Sequence, residues 1–190
     1  DPDHVRKVAD RVSQLETERG IALGTIRLIA MLESPAALLL AREIATASPR
    51  MAGLTLGMED YATTMGTTPN AELLRPACYQ ITQAARAAGI APLAVPASMA
   101  NFRDAEEMES AAGWARRIGA VGGYAVHPVQ VEILNRVFAP SEEEIAWAHR
   151  VVEAAAKAKR EGAGVFTVDG KMVDLPIITR AHDIIGRQAG

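Results

Sequence analysis

Residues 26–60, IRLIAMLESPAALLLAREIATASPRMAGLTLGMED, contain two apolar runs, and each runs out at an acid. The first lies in TIRLIAML (25–32) and is continuously apolar from Leu28 to Leu32, so it reads as a buried strand. Ser34 and Pro35 follow Glu33 directly. They are a good N-cap and a good first helical residue, so a helix over 35–47 starts just behind the acid. The second run, MAGLTLG at 51–57, is another strand and leads into Glu59 and Asp60.

The same alternation extends in both directions. Upstream, Val5, Val8, Val12 and Leu15 recur at helical spacing until Gly20 stops them. Downstream, a helix carries Leu73, Leu74, Ala77, Ile81, Ala84 and Ala88 and closes at Gly89. APLAVPA (91–97) is a third strand with its prolines near the ends. Asp104 opens a helix through Met108, Ala111, Ala115 and Ile118 that Gly119 stops. GYAVH (123–127) is a fourth strand, followed by a helix from Pro128 to Phe138. Apolar strands alternating with helices signal an α/β fold with a parallel sheet covered by helices. Four such units make about half of a (β/α)8 barrel, which needs about 250 residues. An open doubly wound sheet fits the periodicity equally well.

Beyond residue 140 the character changes. Ser141 with Glu144 three residues on is a capping box, and it opens a long charged helix. GVFTVDGKMVD then reads as a hairpin turning at Asp169-Gly170, with a last helix from about Pro176. The expected organisation is a four-unit βα core at 1–140 and a helix–hairpin–helix unit at 141–190, acting as a lid or an oligomer arm.

Composition narrows the function. A net charge of −3 gives no bulk attraction for nucleic acid or an anionic membrane, and no apolar run approaches the length of a membrane span. The opening DPDHVRKVADRVSQLE is an amphipathic helix without a signal-peptide pattern, and one cysteine, Cys78, cannot pair within the chain. A reduced, cytoplasmic setting is expected. A glycine-rich phosphate loop, GxGxxG, G-x-S-x-G and a spaced Cys/His zinc set are all missing, which weakens nucleotide and serine hydrolase chemistry.

In a parallel βα array the C-terminal strand ends share one face, and sites form there. Those ends hold Glu33, the Glu59-Asp60 pair, the Ser98–Asn101 loop and His127. Carboxylates from neighbouring strands suit Mg2+, which takes one or two protein carboxylates and fills its other positions with water and substrate oxygens. Gly57 permits close backbone approach, and the N–H groups of Met58 and Glu59 can hold a substrate carboxylate. Glu59 reads equally as a surface charge or a supporting acid. His127 reads as a loop-holding residue or an acid–base group, and Asp174 as the N-cap of the last helix.

LIAMLESPAALLLAREIA, MAGLTLGMEDYATTMG, GGYAVHPVQVEILNRVFAPSEEEIAWAHRVVEAA and GAGVFTVDGKMVDLPIITRA occur in that order along the chain. Together they resemble the citrate lyase β-subunit-like family of the HpcH/HpaI aldolase superfamily, CoA ester lyases that include malyl-CoA and citramalyl-CoA lyases. The resemblance implies that the four strands are strands five to eight of a TIM (β/α)8 barrel. It implies that the family's catalytic arginine and much of its CoA surface belong to strands one to four, outside this chain. By the same resemblance, Glu33 and Asp60 are Mg2+ ligands, and Gly57, Met58 and Glu59 form the segment that binds the substrate carboxylate. Asp174 in MVDLP matches a proton donor or acceptor that reaches into a neighbouring subunit's site. His127 in H-P-x-Q matches a structural or CoA-side position, and GGYAVHP lacks the lysine many relatives have before that histidine.

The implied activity is Mg2+-dependent cleavage, or Claisen-type formation, of a 3-hydroxy-carboxyacyl-CoA such as malyl-, citramalyl- or citryl-CoA. The products are acetyl-CoA and a 2-oxo acid. The carrier is CoA or an acyl-carrier protein, and the family likeness favours a homotrimer or homohexamer. Two alternatives stand beside it: a Mg2+-dependent 2-oxo-acid aldolase of the same superfamily, and a non-catalytic binding or structural piece.

Overall fold

The N-terminal apolar stripe forms helix α1 (Pro2–Glu18), capped by the Asp1 side chain, which accepts the His4 N–H at 2.8 Å. Gly20 at φ +65 turns the chain out of it. The computed structural model describes residues 1–162 and 165–188 and divides into two compact units, Asp1–Phe138 and Ala139–Gly190.

In the first unit, β1 (Leu28–Leu32), β2 (Met51–Leu56) and β3 (Ala91–Leu93) form a parallel sheet in that order. Leu32 pairs with Leu56, so β1 and β2 end level with each other. One face of the sheet is dry: Leu32, Leu54 and Leu56 pack with Leu38, Ile44, Leu74 and Ile81. Each such buried aliphatic side chain contributes about 1.5–3 kcal/mol. On the other face Ile29 and Met31, opposite Gly53 and Thr55, remain 47% and 48% exposed.

The helix expected over 35–47 is two short helices, α2 (Pro35–Leu39) and α3 (Ala41–Ala45). At Leu40 ψ is 17°, and its N–H reaches back three residues to the Ala37 carbonyl, tightening the turn and breaking the axis. After β2 come α4 (Met58–Thr64) and α5 (Ala71–Ala87). After β3 come a single 3₁₀ turn (Met99–Asn101), α6 (Ala105–Arg117) and α7 (Pro128–Phe138).

The sheet departs from expectation at its far edge. Among the described residues β3 stops at Leu93, and 123–127 forms no strand. One backbone bond, Val121 N to Pro92 O at 3.0 Å, holds that segment beside β3. Pro92 and Pro96 supply no N–H, so a continuous ladder cannot form there. Gly122 and Gly123 instead pack flat against Leu93 and Val95, and a Cβ on Gly123 would stand 2.6 Å from Val95 Cγ2.

Opposite the strands' C-terminal ends, Glu16 of α1 and Arg50 before β2 form a fully enclosed pair. Arg50 Nη1 and Nη2 donate to the two carboxylate oxygens at 2.9 and 2.5 Å, and the Gly24 and Ile26 N–H groups donate to the same carboxylate. These bonds fix α1 and the 20–27 loop to the start of the sheet. The Arg50 hydrogen bonds, with those from Ile26 and Gly24, outweigh burial and hold the Glu16 pKa at about 2.

In the second unit, the capping box of Ser141 and Glu144 has both of its bonds and opens α8 (Glu142–Arg160). Strands β4 (Phe166–Val168) and β5 (Lys171–Val173) pair antiparallel. Asp169 and Gly170, at φ 51 and 73, make the turn, as a two-residue hairpin of this type requires. Gly164, where the first hairpin run was expected to begin, lies outside the described residues. Helix α9 (Leu175–Gln188) closes the unit around Ala148, Val151, Val168, Val173 and Ala181. Among the described residues no helix is long and apolar enough to cross a membrane.

Candidate metal and substrate site

Because β1 and β2 end in register, the residue after each strand falls next to its neighbour, and Glu33 lies beside Gly57. The Gly57 N–H donates to the Leu32 carbonyl at 2.9 Å. A Cβ on Gly57 would stand 2.5 Å from Glu33 Cγ and 3.0 Å from Oε1, so the Glu33 side chain crosses the space that only glycine leaves open. The φ of −84° at Gly57 is ordinary, so the need for glycine here is spatial. Gly57 is also the N-cap of α4, whose first turn carries buried Met58 and exposed Glu59 and Asp60.

Ser34 behaves as a cap, accepting the Ala37 N–H at 3.2 Å, with Pro35 first in α2. Glu59 is engaged elsewhere: Ser98 Oγ, from the loop after β3, donates to its Oε1 at 2.6 Å. Three strand ends therefore meet in the first unit through Glu33, Gly57, Glu59 and Ser98. Asp60 follows Glu59 directly, and both Glu33 and Asp60 face solvent.

Among the described residues no cluster of three or more His, Cys, Asp or Glu side chains is arranged to hold a metal. Two carboxylates from adjacent strand ends fit Mg2+ by donor chemistry, since this ion keeps several waters or substrate oxygens in its shell. They do not fit zinc, whose sites are built mainly from nitrogen and sulfur donors.

His127 is half-buried, its ring 5.3 Å from that of Phe102. Its Nδ1 accepts the Val129 N–H at 3.3 Å, so the neutral ring carries its proton on Nε2. Gln130, buried in the same turn, accepts the Val126 N–H at 2.9 Å. The H-P-x-Q motif is thus a two-sided clasp on the start of α7. Asp174 lies in the second unit, half-buried at the head of α9, where its side chain accepts the Ile177 N–H at 3.4 Å. Cys78 is buried, and burial pushes its thiol up to about 12, which leaves no nucleophilic thiolate near neutrality.

Two pairs were not anticipated from the chain. Ser98 and Glu59 are 39 positions apart, and no local spacing links them. Glu16 did leave a trace, because it falls two turns after buried Ala9 on the inner side of α1.

The family model described as HpcH/HpaI aldolase/citrate lyase matches residues 1–128. The citrate lyase subunit beta of Haemophilus influenzae is 38% identical over 179 residues, covering 93% of this chain and 60% of that protein. The L-malyl-CoA/beta-methylmalyl-CoA lyase of Rhodobacter capsulatus is 36% identical over 183 residues, covering 86% and 57%. Among solved structures, CitE of Mycobacterium tuberculosis in complex with magnesium, acetoacetate and coenzyme A superposes with a TM-score of 0.70 at 28% identity, covering 95% of this chain and 74% of that one. The chain spans about three-fifths of the length of the curated relatives it matches.

Proposed function

The chain belongs to the HpcH/HpaI aldolase/citrate lyase family, and from that premise we propose that it is the cation-holding part of a Mg2+-dependent CoA ester lyase. The reaction is cleavage, or Claisen-type formation, of the C–C bond of a 3-hydroxy-carboxyacyl-CoA of the malyl, citramalyl or citryl type. The observation that carries this reading is the passage of Glu33 across Gly57 at the start of the helix bearing Asp60. The named activities of the citrate lyase and malyl-CoA lyase relatives, and the magnesium and coenzyme A bound to CitE, support it.

On this reading Glu33 and Asp60 hold the cation from adjacent strand ends, and Gly57 keeps the path of Glu33 clear. The Met58 and Glu59 N–H groups take the substrate's terminal carboxylate. When bound, Mg2+ supplies Lewis-acid stabilisation of the oxygens on which charge develops. Cleavage moves one proton in net terms: the 3-hydroxyl gives it up as the carbonyl of the 2-oxo acid forms, and the acetyl thioester carbon, left with the bond's electron pair, takes one up. Asp174, contributed by a neighbouring copy in a homotrimer or homohexamer, is the group assigned to that transfer. His127 stays with its clasp, on the side of the CoA arm.

The finer architecture proposed is strands five to eight of a (β/α)8 barrel, with residues 141–190 as lid or oligomer arm, in a cytoplasmic protein. Parallel sheets are normally covered on both faces. The exposed Ile29–Met31 face and the position of β1 at the sheet edge suit an incomplete barrel. The same face favours a second reading, that the 190-residue chain alone is an inactive piece.

The intact protein that carries this chain should cleave malyl-, citramalyl- or citryl-CoA only with Mg2+. Turnover should fall by orders of magnitude in Glu33→Ala and Asp60→Ala. Cleavage of free 4-hydroxy-2-oxo acids without any CoA ester activity would move the assignment to the aldolases.

A further inference from the structure

The first turn of α4 is held on two sides. Towards β1 it is fixed by the Gly57 N–H to Leu32 carbonyl bond and by the fit of Glu33 over Gly57. Towards β3 it is fixed by Ser98, whose Oγ donates to Glu59 Oε1 at 2.6 Å. Ser98 Oγ also accepts the Ala100 N–H at 3.1 Å. A hydroxyl has one proton to give. With Ala100 on the acceptor side, that proton goes to Glu59, and a hydrogen bond to an ionised carboxylate is among the stronger neutral-to-charged contacts. Glu59 and Asp60 are consecutive on the helix, so their side chains leave the axis about 100° apart. The buried Met58, Tyr61 and Ala62 set the rotation of the helix, and anchoring Glu59 to Ser98 adds a tie at its first turn that narrows the direction in which Asp60 projects. It also engages the acid next to Asp60, which separates the roles of the two neighbours.

We propose that Ser98 and Glu59 form a positioning pair that keeps Asp60 aligned with Glu33 for a shared divalent cation. The inference rests on the reading of Glu33 and Asp60 as the cation ligands. Ser98 itself touches neither cation nor substrate on this account. The loop after β3 is thereby coupled directly to the cation site, although α5 separates the two in the chain.

The test is Mn2+ binding to the full chain, followed by EPR titration, with thermal melts of every variant. Ser98→Ala and Glu59→Ala should each weaken Mn2+ binding by about tenfold, the scale on which groups supporting a ligand act. Ser98→Thr, which keeps the hydroxyl, and Glu59→Gln, whose amide oxygen still accepts it, should bind within about twofold of the parent. The double variant Ser98→Ala/Glu59→Ala should be no weaker than either single one, because both remove one shared bond. Unchanged affinity in Ser98→Ala, or a Glu59→Gln as weak as Glu59→Ala, would overturn the pair while leaving the cation site standing. If Glu33→Ala binds Mn2+ like the parent, the cation reading itself fails and the pair falls with it.

Discussion

Glu33 and Gly57 are matched by exclusion: the acid occupies the space in which any side chain at position 57 would begin, 2.5 Å from its own Cγ. The parallel register that ends with Leu32 opposite Leu56 brings the two residues side by side. A strand-end acid is thereby converted from a loose surface charge into a group with a defined path.

Gly57→Ala should therefore separate fold from function. The clash is with the flexible stem of Glu33, which can swing away, so melting should change little. Divalent cation affinity, read by Mn2+ titration, should fall at least about tenfold. A variant that binds as well as the parent would show that Glu33 does not need this path.

Gly123→Ala should do the reverse. Its Cβ would meet Val95 at 2.6 and 3.1 Å in a packed part of the first unit, where neither neighbour can move freely. Overpacking of this kind costs about 1–3 kcal/mol. Gly122→Ala, 3.3 Å from Leu93 Cδ2, should cost less, and urea unfolding of the two variants measures the difference.

The Glu16–Arg50 pair predicts an acid limb in the stability curve. The folded-state pKa of Glu16 is about 2 against an ordinary 4.5, so the folded chain favours the ionised form. The resulting stabilisation is complete above about pH 4.5 and drains away as the pH falls towards 2. Glu16→Gln should melt lower than the parent at pH 7, and the two melting temperatures should converge between pH 4.5 and 2. A gap that stays constant across that range would exclude the ionised pair as its source.

Much of the fold was legible because its signals are local. The turns at Gly20, Gly89 and Gly119, the capping box at Ser141 and the hairpin at Asp169-Gly170 each depend on neighbours a few positions away. The failures share a different cause. Whether 123–127 joins the sheet depends on what β3 can offer, and Pro92 and Pro96 withhold the donors a ladder needs. The break at Leu40 lies in a run that favours helix throughout, so periodicity carries no mark of it. At the candidate site, Glu33 stood out as an acid ending an apolar run. The engagement of Glu59 by Ser98 required the tertiary structure, since it joins different strand ends.

If the sheet is part of a closed barrel in the intact protein, Ile29 and Met31 point into its interior there. The paired substitution Ile29→Lys/Met31→Lys should then strongly destabilise the intact protein, since each charge would be buried without a partner. In the 190-residue chain by itself, where both positions are about half exposed, the same change should be tolerated and should reduce self-association. Melting and light scattering on both forms make the comparison.

A crystal of the intact protein grown with Mg2+ would show the cation ligands themselves. One ion should lie with a carboxylate oxygen of Glu33 and one of Asp60 each about 2.0–2.1 Å away, and with Glu59 still bonded to Ser98. An ion held by Glu59 in place of Asp60, or one bound with Glu33 turned away from it, would rule out the pairing of Glu33 and Asp60.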